Sequence, residues 1–278
     1  MIATPALPFT PETLGVIGLG RMAQALLLPV LKGGQMAPDS VRAVVATEAS
    51  AQSLSALHGL EVSTDARRAW MAPVVLLAVK PQQLADLAAT APLPMAGADG
   101  TPALLLSVLA GVSLARLQAL FPGWVIVRAV PNTPCLVRAG LTALAWDERV
   151  NPAQRQWVLE LFSRVGEVSE LPESQLDAFL ALTSSGPAFV ALVAEAMADG
   201  AVAAGLPRAL AQHLASRTLA GTAALLSEQE LHPAQLKDMV ASPGGTTIAG
   251  LRQLERAGMR SALIEAVLAA AERSRSFA

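Results

Sequence analysis

Two short stretches of this chain have the composition of anion sites. The first, Leu14-Gly15-Val16-Ile17-Gly18-Leu19-Gly20-Arg21-Met22-Ala23, reads as a strand, a tight turn and a helix start. In the pattern Gly18-x-Gly20-x-x-Ala23 the first glycine permits the turn and the second lets a pyrophosphate approach the backbone. Ala23 is small enough for the helix to pack closely on its strand. The anion would rest on the free N–H groups and positive dipole end of that helix. The second stretch, Ser242-Pro243-Gly244-Gly245-Thr246-Thr247-Ile248, also opens a helix. Its two glycines let successive N–H groups face one point, with two hydroxyls beside them, which suits a carboxylate or phosphate. Each stretch also has a plainer reading. A glycine turn is a common strand–helix joint, and Thr246 or Thr247 could be an ordinary N-cap. A third loop, Thr183-Ser184-Ser185-Gly186-Pro187-Ala188, has the same small, hydroxyl-rich character before a helix.

The missing residues narrow the chemistry. There is no tyrosine, which excludes reductases that need a Tyr–Lys pair. The histidines are His58, His213 and His232, and the lysines Lys32, Lys80 and Lys237, all scattered. Neither a zinc hydrolase nor a Ser-His-Asp enzyme is readily built from them, and no metal site is expected. The single cysteine, Cys135, can form no internal disulfide and reads as a small buried residue. Lys plus Arg total 20 against 22 Asp plus Glu, so no basic excess exists to hold nucleic acid or an anionic membrane. The stretches free of charged residues, 178–194 and 100–115, are short for a spanning helix and contain Gly or Pro, so no transmembrane segment is expected. The first residues carry neither a basic n-region nor a long apolar run, and the expectation is a cytoplasmic protein.

Positioning these loops takes two kinds of element. Hydrophobic residues make up 53% of the 278, enough for a large core. The first half alternates continuous apolar runs with helical patterns. Strands are expected at Leu14–Gly18, Val41–Ala46, Val74–Val79, Ala103–Val108 and Val125–Ala129, with shorter ones at 141–145 and 167–169. Such runs separated by helices mean a parallel sheet covered on both faces. After about residue 170 the strand pattern stops. Helices are expected at 174–182, 187–204, 207–227, 232–240, 247–257 and 259–275, punctuated by Pro and Gly. The chain therefore divides into a dinucleotide-binding domain, 1–169, and a helical domain, 170–278. The segment 187–204 is apolar almost all round, with only Glu195 and Asp199 charged. It calls for burial, and a second subunit would provide it. Glu195 and Asp199, four apart, share one face and are read as bridging a neighbouring helix.

In an open parallel sheet, ligands bind beyond the carboxyl ends of the strands. Four such ends carry unusual residues: Gly18–Met22, Lys80-Pro81-Gln82, Ala110-Gly111-Val112 and Pro131-Asn132-Thr133-Pro134. Together they point to a long ligand lying across that edge. After the second strand comes Thr47-Glu48. The acid would bond ribose hydroxyls and select NAD, whereas the Thr hydroxyl could help hold a 2′-phosphate.

These motifs resemble the pyrroline-5-carboxylate reductase family. The resemblance is carried by GVIGLGRMAQAL (Gly15–Leu26), LAVKPQ (Leu77–Gln82), SVLAGV (Ser107–Val112) and RAVPNTP (Arg128–Pro134). It continues through TSSGPA (Thr183–Ala188), Gly205–Pro207 and SPGGTTI (Ser242–Ile248). It implies a Rossmann-type doubly wound, mostly parallel sheet followed by an all-helical dimerisation domain. It also implies reduction of Δ1-pyrroline-5-carboxylate to L-proline with NADP(H), NAD(H) staying open. The implied cofactor set is Ile17, Gly18, Leu19, Gly20, Arg21, Met22, Thr47, Glu48, Asp65, Ala78, Val79, Lys80, Pro81 and Asn132. The implied substrate loop is Ser242, Gly244, Gly245, Thr246 and Thr247. Thr247 would stand at the ring nitrogen, and Lys80 with Pro81 and Asn132 at the nicotinamide end, making Thr247 and Lys80 the catalytic candidates. The implied partners are the small substrate and a second copy of the chain.

Some positions depart from the family pattern. Arg21 stands where Asn or Gln is common, Ser184 where Gly is usual and Phe189 where Tyr is frequent. Asp65 replaces a frequent Asn, and with Glu48 it would oppose a 2′-phosphate and favour NAD. A β-hydroxyacid dehydrogenase shares the two-domain plan but needs a helical lysine beside the alcohol, and Lys237 lies outside any Gly-rich helix pattern. A cofactor-binding regulator without catalysis would be expected to have a damaged substrate loop, yet SPGGTT is intact.

Overall fold

The computed structural model describes residues 9–34, 36–97 and 100–276. Eight strands form one sheet: β1 (Leu14–Ile17), β2 (Val41–Val44), β3 (Glu61–Ser63), β4 (Val74–Leu77), β5 (Leu104–Ser107), β6 (Val125–Val130), β7 (Gly140–Trp146) and β8 (Gly166–Glu170). Their order is β3-β2-β1-β4-β5-β6-β7-β8, parallel throughout except for the β6–β7 pair. The first six follow the doubly wound order, with the reversal between β1 and β4. The helices of this part are α1 (Arg21–Lys32), α2 (Glu48–His58), α3 (Arg67–Trp70), α4 (Leu84–Thr90), α5 (Leu114–Leu120) and α6 (Pro152–Ser163).

The continuous apolar strands are buried on both faces because alternate residues point to opposite sides. Leu14, Val16, Leu76, Leu104 and Val127 meet α1 and α6 through Ala23, Leu27, Val158 and Phe162. Ile17, Val75, Leu77, Leu105 and Ile126 meet Trp70, Leu84, Leu117 and Phe121 on the other face. Two elements lie outside the sequence expectations. β3 has only three half-buried residues and no apolar run; it exists because β2 offers a ladder, with Arg42 opposite Glu61 and paired to it at 3.2 Å. The one-turn α3 buries Ala69 and Trp70.

The remaining helices are α7 (Leu176–Thr183), α8 (Gly186–Ala203), α9 (Arg208–Glu228), α10 (Pro233–Val240), α11 (Thr246–Arg256) and α12 (Met259–Arg275). By compactness the chain forms two units, Met1–Ser184 with Ala271–Ala278, and Ser185–Ala270. The first unit takes in α7 because Leu176 packs with Val130, Ala143 and Ala145 of the sheet. Buried Arg128 on β6 pairs with Glu173 at 2.9 Å, and Ser274 donates to Asp177 at 2.6 Å, which ties the last turn of α12 to the same unit.

In the second unit α8 and α9 pack through Ala198, Ala211 and Ala215. Asp199 pairs with Arg208, the helix bridge read from the sequence. The apolar α8 differs from expectation: in the single chain only Ala198 is buried, while Val190 is 53% and Leu192 65% exposed. The stretch Glu173–Ala203 is long and apolar enough, by length and composition, to cross a membrane.

Asp147, buried beyond the end of β7, accepts from Arg149, from Gln118 at 3.0 Å and from the Ile126 N–H at 3.4 Å. Burial pushes its pKa up, but hydrogen bonds from the Arg149 side chain and backbone and from Gln118 outweigh that and hold it well below the usual carboxylate range. A depressed folded-state pKa contributes stability at neutral pH that is lost as pH falls below about 4. Thermal melts from pH 7 to pH 3 should show this loss, reduced in Asp147→Ala. That variant should cost about 2–3 kcal/mol at pH 7, because it strands the buried Ile126 N–H and removes the bonds from Gln118 and Arg149.

Candidate functional site

The carboxyl ends of β1, β4, β5 and β6 lie on one edge of the sheet, as their parallel register requires. The four singled-out loops follow those ends. At the β1 end Gly18 has φ +96°, and a Cβ there would lie 2.7 Å from the Ala78 carbonyl oxygen. The turn therefore presses directly on Ala78-Val79 beyond β4. The N–H groups of Gly18 and Leu19 both donate to the Val44 carbonyl, at 2.9 and 3.3 Å. Ile17 and Leu19 bury their side chains. Those three residues thus shape the loop, and the N–H groups left for an anion belong to the start of α1. Gly20 is its N-cap, no side chain caps it, and no acid lies in its first turn. Space is open on the side of Gly20 where a Cβ would stand. This cradle fits a pyrophosphate, and Arg21 and Met22 flank it.

Lys80 is exposed beside half-buried Pro81. Buried Asn132 is tied to the protein at both ends of its amide, which donates to the Thr183 carbonyl at 3.0 Å and accepts from the Leu141 N–H at 2.8 Å. Ser184 donates to the Pro131 carbonyl at 3.1 Å. These bonds clamp the end of α7 to the end of β6, so the side chain of Asn132 positions backbone at the edge.

At the β2 end the sequence reading needs correcting. The Thr47 hydroxyl is the N-cap of α2, accepting from the Ser50 N–H at 3.2 Å. Glu48 accepts from the Thr64 hydroxyl. Asp65 is no free carboxylate: the Arg67 guanidinium grips it, and hydrogen bonds from the Arg67 side chain and backbone lower its pKa to about 2. Of the two carboxylates that argued against a 2′-phosphate, Asp65 is offset by a cation, while Glu48 meets only a hydroxyl and keeps its charge. Arg67 escaped the sequence reading, and the only signal was its spacing, two residues after an acid that can cap a helix.

In the second unit the Ser242–Thr247 turn adopts the open form. Gly244 has φ +66°. The N-cap of α11 is Gly245, with no side-chain cap and no acid in the first turn. Neither Thr246 nor Thr247 caps the helix, so its first N–H groups and both hydroxyls stay available. A Cβ on Gly245 would meet the Ser242 hydroxyl and lie 3.1 Å from the Ser242 carbonyl oxygen, so a side chain there would have to displace the hydroxyl. Cys135 is buried, and burial raises its thiol pKa, the opposite of a nucleophile. His232 caps α10 through Nδ1 at 3.2 Å.

Comparison with known proteins places this arrangement. The chain is 49% identical over 94% of its length to pyrroline-5-carboxylate reductase of Synechocystis sp., covering 96% of that protein. The chain belongs to the pyrroline-5-carboxylate reductase family. The pyrroline-5-carboxylate reductase of Methanosarcina acetivorans is 39% identical over 95% of this chain and 97% of its own. Residues 173–277 match the family model for pyrroline-5-carboxylate reductase dimerisation. Residues 13–111 match a model described as NADP oxidoreductase, coenzyme F420-dependent. Among solved structures, the Coxiella burnetii pyrroline-5-carboxylate reductase has a TM-score of 0.82 at 31% identity, over 97% of this chain and 99% of that one. The Plasmodium falciparum pyrroline carboxylate reductase, solved with NADP bound, has a TM-score of 0.85 at 27% identity, over 96% and 98%. The fold of this reductase family member is thus the Rossmann-type sheet plus helical region that its motifs implied.

Proposed function

We infer that this chain catalyses the NAD(P)H-dependent reduction of Δ1-pyrroline-5-carboxylate to L-proline. The observation that carries the reading is the pair of uncapped, acid-free helix starts, α1 behind Gly18–Gly20 and α11 behind Gly244–Gly245, in a chain 49% identical to a reductase of that name. The dinucleotide supplies a hydride when bound. The start of α1 holds its pyrophosphate, while Ala78, Val79, Lys80 and Pro81 form the strand-end loop toward the nicotinamide.

The substrate is a cyclic imine bearing a carboxylate. The N–H groups of Thr246 and Thr247 and the hydroxyls of Ser242 and Thr246 take the carboxylate. The Thr247 hydroxyl bonds the ring nitrogen. A protonated iminium carbon is already electrophilic, so the chain need only hold that carbon about 3–3.5 Å from the hydride and keep one proton on nitrogen. Hydride adds to carbon, the C=N π pair becomes the amine lone pair, and no catalytic base is required. The absence of tyrosine and scarcity of histidine and lysine are compatible with this economy.

The apolar surface of α8 is where a second copy of the chain would pack, as a homodimer or a larger homo-oligomer.

The test is a steady-state assay on pyrroline-5-carboxylate with NADPH and NADH. Turnover with neither would overturn the reading. Thr247→Ala should lower kcat by roughly tenfold to a hundredfold while moving the cofactor KM less, the scale of one lost transition-state hydrogen bond. Thr247→Ser should restore most of it. An unchanged kcat in the alanine variant would remove Thr247 from the mechanism.

A further inference from the structure

The carboxyl ends of β2 and β3 carry a charge arrangement that the glycine loop does not account for. The Ser63 carbonyl, last in β3, accepts from the Val45 N–H at 3.0 Å, so residues 64–67 continue beside Thr47 and Glu48. The Thr64 hydroxyl reaches Glu48 across that gap. Asp65 then holds Arg67 by three separate groups: its backbone N–H at 3.0 Å, Nε at 2.9 Å and Nη2 at 2.6 Å. The Arg67 side chain is 87% exposed and that of Asp65 46%. Arg42 and Arg68 instead turn to Glu61, at the start of β3. Of these three arginines, Arg67 is the one beyond the carboxyl ends of the strands.

In a dinucleotide laid across the switch point of such a sheet, the adenosine ribose lies at the end of the second strand, and an arginine there accommodates a 2′-phosphate. We propose that Arg67 sets the preference of this enzyme for NADP(H) over NAD(H), exchanging Asp65 for the 2′-phosphate as the cofactor binds. The proposal rests on the dinucleotide reading above. The exchange costs little, because an exposed Arg–Asp pair contributes little to stability. The guanidinium–phosphate fork is stronger and matches its geometry in two parallel bonds. Asp65 has two opposed effects. It holds the guanidinium at the edge beforehand, and after the exchange its charge opposes the phosphate. Glu48 is occupied by Thr64 and adds a fixed negative charge to the same edge, which lowers the discrimination Arg67 can reach.

The full-length protein distinguishes these roles by calorimetric binding of 2′,5′-ADP, 5′-ADP, NADP+ and NAD+. Arg67→Ala should weaken 2′,5′-ADP and NADP+ by about tenfold, the scale of one charge-assisted fork, and leave 5′-ADP and NAD+ within about twofold. Asp65→Asn keeps an acceptor for the Arg67 N–H and removes the opposing charge; it should tighten NADP+ about threefold without changing NAD+. Arg68→Ala, paired to Glu61, should leave the ratio of the two affinities alone, which separates a local contact from general charge. Thermal melts should show all three variants folded. An Arg67→Ala protein whose NADP+ to NAD+ ratio is unchanged, or an equal shift from Arg68→Ala, would overturn the assignment. If the unsubstituted protein bound none of the four nucleotides, the oxidoreductase reading would fail, and this one with it.

Discussion

Gly18→Val should all but abolish dinucleotide binding in a protein that still folds. Gly18 sits at φ +96°, a region that β-branched side chains essentially never enter. Any Cβ at this position also lies 2.7 Å from the Ala78 carbonyl oxygen, which is backbone and cannot swing aside. The turn must therefore open, and its N–H contacts to Val44 open with it. A pyrophosphate held on the start of α1 would lose that support. Backbone strain of this kind costs about 1–3 kcal/mol before any steric term. With the cradle displaced, we expect NADPH affinity to fall by at least about a hundredfold. Titration of NADPH fluorescence measures it, with circular dichroism as the check on folding. Tight NADPH binding by the valine variant would remove the glycine loop from the cofactor site.

The second large effect comes from α8. Leu192→Asp should convert the assembly to monomers and take the activity with it. The helix leaves Val190 and Leu192 exposed in the single chain, although it is apolar almost all round. Burying one leucine side chain contributes about 1.5–3 kcal/mol, and an unpaired carboxylate buried in its place costs several more. In a two-fold interface both copies carry the change, so the penalty counts twice. Sedimentation velocity at micromolar protein should show the loss of mass, and an assay of the same samples the loss of turnover. A variant that keeps both its mass and its rate would show that α8 faces solvent. The same surface explains how Glu173–Ala203 can be apolar enough for a membrane and still belong to a chain matching a dimerisation family.

Much of this was legible in the residues because the relevant physics is local. Seven of the eight strands follow from apolar runs or short β patterns, since a strand buried on both faces must be apolar throughout. β3 escaped because three half-buried residues carry no run; it forms on the ladder that β2 presents. At the site, the glycine pattern predicted the turn, but not that Gly18 and Leu19 would spend their N–H groups on Val44. Asn132 was placed correctly at the sheet edge, while its amide proved to be bonded at both ends, to Thr183 and Leu141. For the Ser242–Thr247 turn, spacing could not tell whether a threonine caps the helix, and the structure puts Gly245 at the cap instead.

The amino-acid order alone determined the doubly wound sheet, the two glycine turns that open helices and the family, because turn chemistry, helix starts and apolar periodicity each depend on residues close together in the chain. Tertiary structure decided which charges pair beyond the ends of β2 and β3, and showed that the single chain leaves α8 largely uncovered. Whether Asp65 repels or is neutralised depends on which cation its carboxylate meets, and whether an apolar helix is buried depends on which surface covers it. Both are questions of neighbours in space, which Coulombic and hydrophobic energies count and local sequence spacing does not.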